Sequence, residues 1–121
     1  MFKYIEITLH LDVKTREKGD RVLDRFREVL GSSFSVETFK RNLEDSSLFR
    51  VDLITPLETD NIEHAIYRTL KRCSTFARSW TVIGPHEVED GGLEFSGWAM
   101  KEQLAVPGMR SAGFEISNYQ E

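Results

Sequence analysis

The chain has 121 residues, of which 40% are apolar and 30% charged, with eight phenylalanines and a formal net charge of −4. That length and apolar content predict one domain, residues 1–121, with a core of its own, and exclude a disordered polymer. The acidic balance argues against a bulk nucleic-acid binder, which needs excess cations to neutralise phosphates.

Tyr4 to Leu11 alternates strictly, with Ile5, Ile7, Leu9 and Leu11 on one face and Tyr4, Glu6, Thr8 and His10 on the other. A side-chain period of two predicts a half-buried strand. After a polar break the period becomes helical. Val22, Leu23, Phe26, Val29 and Leu30 share a stripe that Gly31 ends, which predicts a helix over about Thr15–Leu30. Thr15 is a candidate N-cap, although Gly19 would then weaken the first turns.

Phe34 to Arg41 is a second strand candidate and Leu48 to Thr55 a third, with Phe49, Val51 and Leu53 toward the core and Pro56 as its stop. Asp60-Asn61-Ile62-Glu63 resembles a capping box, with Asp60 as cap, and opens a helix expected over about Asn61–Phe76. Its inner stripe holds Ile62, Ala65, Ile66, Leu70, Cys73 and Phe76.

Trp80 to Met100 reads as a hairpin whose turn carries Asp90-Gly91-Gly92. Lys101 to Arg110 is a connection through Pro107-Gly108, and Gly113 to Tyr119 alternates as a last strand. The order predicts an α+β fold: a ferredoxin-like βαββαβ sandwich with one or two appended C-terminal strands. Both helices would cover one face of a mostly antiparallel sheet.

Cys73 is the sole cysteine, so no internal disulfide can form, which suits a reducing, cytoplasmic setting. No stretch reads as a secretory signal or membrane span, so no membrane contact is expected. On its apolar stripe Cys73 reads as a small buried hydrophobe rather than a nucleophile. His10, His64 and His86 lack the spacing of zinc ligands, so no metal or cofactor is expected. With the first and fourth strands as antiparallel neighbours, His10 and His86 would lie at opposite edges. Phosphate-binding loops and the aromatic signature of RNA-recognition sheets are both missing, so no nucleic acid is expected as a partner.

Two residue groups remain. Tyr4, Glu6, His10, Arg50 and Asp52 would share the open face of the sheet, where acid–base work is conceivable and an ordinary polar surface is the simpler reading. The other group follows from a charge asymmetry. Only Lys101 and Arg110 of the 16 basic residues follow residue 80, and the hairpin places Glu87, Glu89, Asp90 and Glu94 together with Trp98 beyond them. Complementary charge around a tryptophan anchor predicts a protein partner with a basic surface.

The expectation is therefore a non-enzymatic protein-binding module, of the kind that serves as an inhibitor or immunity-type protein, acting through its acidic C-terminal third. One alternative is a ligand-binding or sensory domain that forms a homodimer through its sheet. A third is a small enzyme using the open sheet face.

Overall fold

The computed structural model describes residues 1–87 and 92–118. In chain order these form β1 (Phe2–Leu11), α1 (Arg16–Leu30), β2 (Ser35–Arg41), β3 (Phe49–Thr59), α2 (Ile62–Cys73), β4 (Thr81–Glu87), β5 (Leu93–Met100), a short 3-10 turn at Lys101–Gln103, and β6 (Met109–Ser117). Gly91 and Tyr119 lie outside the described residues. None of the described helices is long and apolar enough to cross a membrane.

The strands make one six-stranded sheet in the order β2-β3-β1-β6-β5-β4, antiparallel at every step. This corrects the expected connectivity. A ferredoxin-like sandwich seats the fourth strand beside the first, whereas here β6 takes that place and β4 lies at the far edge. Two strands therefore separate β1 from β4. His10 and His86 are apart because three inter-strand spacings of about 4.8 Å lie between their strands, not because they end opposite edges of one pair.

Local chemistry explains most boundaries. Thr15 caps α1, its side chain accepting from the Lys18 amide, and Gly31 closes the helix in the left-handed region at φ 68°. Gly19 is there for space: a Cβ would come within 2.6 Å of the Phe39 ring. The cap of α2 is Asn61, not Asp60. The Asn61 side chain accepts from the His64 amide, while Asp60 is exposed 3.6 Å from the N-terminal amine. The strand β3 does not stop at Pro56 but runs to Thr59. It can, because β2 begins opposite Ile54, so beyond that point β3 has a neighbour on only one side.

Both helices bury their stripes on the same face of the sheet. Val22, Leu23, Phe26 and Leu30 of α1 and Ala65 and Cys73 of α2 join Ile5, Ile7, Leu9 and Leu11 in one core. A chain of ring contacts at centroid separations of 4.8–5.6 Å runs Phe34–Phe26–Phe76–Trp80–Phe114–Phe95 and ties the helices to the C-terminal strands. Trp80 also donates its indole N–H to the Cys73 carbonyl at 3.1 Å. Cys73 is fully buried, and burial pushes its thiol up to about 12, so it stays protonated and inert at neutral pH. On α2 the inner stripe includes Thr69, while Leu70 is turned outward.

Candidate functional site

The helix-free face of the sheet is built by alternation. In β1 the even-numbered residues Glu6, Thr8 and His10 face outward, and the register sets their neighbours. Glu6 lies opposite Ile54 and Glu115, Thr8 opposite Asp52 and Gly113, and His10 opposite Arg50 and Ser111. The next strand adds Ser96, Trp98 and Met100 opposite Glu115, Gly113 and Ser111. One row thus crosses all six strands as Thr38, Asp52, Thr8, Gly113, Trp98 and Thr81.

Asp52 is the centre of the polar half. Its Oδ1 accepts from Thr8 Oγ1 at 2.9 Å and from Arg50 Nη2 at 3.2 Å, while Oδ2 accepts from Thr38 Oγ1 at 2.6 Å and from Arg50 Nε at 3.2 Å. Partial burial pushes its carboxyl up, but the hydrogen bonds from Thr38, Arg50 and Thr8 together outweigh burial and hold it below the usual aspartate range. The cluster divides two hollows. One, of about 490 Å³, is lined by Glu6, Thr8, Glu37, Thr38, Gly113 and Glu115; the other, of about 470 Å³, by His10, Lys40, Asn42 and Glu44.

His10 sits beside this cluster, its Nδ1 3.2 Å from Ser111 Oγ. Burial and then the Arg50 guanidinium lower its pKa, so the imidazole is neutral at pH 7. A serine beside a neutral imidazole is two-thirds of a nucleophilic triad. Asp52, whose charge acts on His10, is already held by two threonines and an arginine, and no hydrogen bond joins it to His10 among the described residues. The arrangement therefore suits hydrogen bonding to a bound group better than acyl transfer. Among the described residues no three of His, Cys, Asp and Glu gather as metal ligands.

The other half is acidic and apolar. Burial, then the charges of Glu6 and Glu94, raise the pKa of Glu115. Trp98 is 43% exposed, Met100 47% and Ile83 47%, so three large apolar side chains border those carboxylates.

Of the first residue group, Glu6, His10, Arg50 and Asp52 meet around the two hollows. Tyr4 lies one same-face step before Glu6 on β1, opposite Pro56, and lines a separate hollow with Lys3, Ile54, Pro56 and Glu58. The acidic hairpin group is divided. Glu94 and Trp98 are on the open face, with His86 Nε2 3.9 Å from Glu94 Oε2. Glu87 pairs with Leu93, whose parity is that of buried Phe95 and Ala99, so it belongs to the opposite side of the sheet. Glu89 and Asp90 lie outside the described residues. Sequence reasoning missed Thr38, Ser111 and Glu115. For Glu115 a signal existed, since it alternates with Phe114 and Ile116, but nothing local placed it beside Glu6.

No family model matches the chain, and no curated protein or solved structure matches it either.

Proposed function

We propose that this chain is a non-enzymatic protein-binding module that docks its open sheet face on a basic partner surface. The carrying observation is Trp98, exposed on that face one strand in from its β4 edge, with Met100 on the same strand and the Glu6, Glu94 and Glu115 carboxylates on the same face. An aromatic anchor supplies affinity through buried area, and the carboxylates supply attraction and register. Masking a cationic active surface, as an inhibitor or immunity-type protein does, is the role that fits this chemistry. Face-to-face pairing with a second copy fits less well, because it would oppose one acidic row to another.

We read the architecture as a ferredoxin-like core, β2-β3-β1-β6, carrying the β4–β5 hairpin as an extension that widens the docking face. The lone buried thiol suits a reducing compartment such as the cytoplasm.

The test is affinity capture from the native organism followed by association kinetics. With the captured partner, changing Glu94 and Glu115 to lysine is expected to slow association about tenfold at low ionic strength and less at high salt. Trp98→Ala is expected to speed dissociation. Unchanged rates in both variants would remove the open face from the interface. Reversal of Glu87, Glu89 and Asp90 separates the hairpin tip from the face, since only a tip-binding partner would respond to it.

A further inference from the structure

A second charged surface lies on the helical side of the molecule. Where α1 ends and the last turns of α2 run past it, an open hollow of about 350 Å³ is lined by Leu30, Ser32, Arg68, Lys71, Arg72 and Thr75. Among the described residues no carboxylate lies within ion-pair distance of Arg68, Lys71 or Arg72, although four other cationic groups, those of Arg16, Arg21, Arg50 and Arg110, each have one. Both guanidiniums are tied down at one end. Arg68 Nη1 donates to the Leu57 carbonyl at 3.3 Å and Arg72 Nη1 to the Pro56 carbonyl. Each keeps further N–H donors, and the tether removes much of the rotamer freedom that an anion would otherwise have to freeze.

The helix ends explain part of this charge but not all of it. Each of the two helix C-termini carries about half a negative charge, so together they offset about one of the three cations. The last carbonyls of α2 are further satisfied by hydroxyls, Ser74 Oγ donating to Lys71 O and Thr75 Oγ1 to Arg72 O. A net charge of about +2 remains over the hollow, the charge that a dianion neutralises. The Ser32 hydroxyl at the rim is a further donor with no hydrogen-bond partner among the described residues.

We infer that the hollow formed by Arg68, Lys71, Arg72 and Ser32 binds a phosphate group carried by a small molecule or a lipid. Guanidinium pairs take phosphate oxygens bidentately, and the ammonium adds a point charge. The remaining volume holds the group that carries the phosphate.

Titrating the ¹⁵N-labelled protein with inorganic phosphate and pyrophosphate, ionic strength held constant with chloride, tests this. Saturable amide shifts are expected at Ser32, Arg68, Lys71 and Thr75. The Arg68→Gln, Lys71→Gln double variant keeps Arg72 and its tether, and it is expected to bind at least tenfold more weakly with an otherwise unchanged spectrum. Flotation with phosphatidylcholine vesicles, with and without phosphatidic acid, separates the sources. Binding to the acidic vesicles assigns a lipid headgroup, and binding to pyrophosphate alone assigns a soluble phosphate. Shifts that follow ionic strength without saturating, equal binding by the double variant, or no binding in either arm would overturn the inference. Trp98→Ala is expected to leave this site intact, so its failure and that of the open-face reading are distinguishable.

Discussion

Phe114 occupies the space that a side chain at Gly97 would need. The two residues are opposite each other on β6 and β5, and a Cβ at Gly97 would lie 2.5 Å from the ring's Cε2 and 3.1 Å from the Thr81 carbonyl oxygen. The ring is held from behind by Trp80, whose centroid is 5.0 Å away. Gly97→Val is therefore expected to cost on the order of 1–3 kcal/mol, because the ring cannot retreat without disturbing the aromatic chain. Thermal or urea unfolding reads the loss. Adding Phe114→Leu to the valine variant is expected to recover part of it, and a purely additive double variant would show that the contact is not the cause.

Asp52→Asn keeps the shape of the polar cluster and removes its charge. An amide nitrogen cannot accept from Thr38 or Thr8, so the substitution is expected to destabilise by about 1 kcal/mol, a figure already reduced for the solvent exposure of Arg50. The folded pKa of Asp52 lies below its unfolded value. Its contribution is thus complete above the ordinary aspartate range and lost as pH falls through the folded value. The gap between wild type and variant should shrink in acid; a gap that widens there would contradict the assignment.

Glu115 titrates in the opposite sense. Its folded pKa is raised, so its contribution is present below the ordinary glutamate range and lost as pH rises through the raised value, where it ionises against Glu6 and Glu94. Glu115→Gln is expected to be more stable than wild type at neutral pH by a few tenths of a kcal/mol, with the difference gone in acid. Paired unfolding curves across that range check the sign. A variant less stable than wild type at neutral pH would show that the glutamates are not in repulsion.

Thr69 is fully buried on α2, and its hydroxyl has no hydrogen-bond partner among the described residues. Replacing it with valine keeps the branched shape and removes the uncompensated polar atom. A stabilisation of about 1 kcal/mol is expected, visible as a raised urea midpoint at unchanged slope. A loss of stability instead would mean that the hydroxyl is bonded in solution.

Local pattern carried the elements, and long-range pairing decided the site. The alternation of Ile5, Ile7, Leu9 and Leu11 and the stripe of Val22, Leu23 and Phe26 put the right side chains inward, because each depends only on a period of two or 3.6. Pro56 misled because proline's effect depends on whether a neighbouring strand needs its missing donor, which no local pattern shows. The order of strands depends on which edges meet. Ser111 and Glu115 reach the site only because β6 settles between β1 and β5, and the start of β6 at Met109 was hidden behind Pro107-Gly108. The division of Glu87 from Glu94 follows from the hairpin's register, which the residue types alone do not set.

The central position of β6 also sets an order of events. Its pairing with β1 joins residues from opposite ends of the chain, such as His10 and Ser111, 101 positions apart. Contacts of such long range form slowly, since the loop between them must close before they give anything back. Until residues 109–117 have left the ribosome and docked, β1 and β5 both present open edges, and the β4–β5 hairpin is an isolated ribbon that is marginal by itself. Trp98 and Glu94 then share no surface with Glu6 and Asp52. A nascent or clipped chain lacking β6 is therefore expected not to bind the partner proposed for the open face, since that surface exists only in the finished sheet.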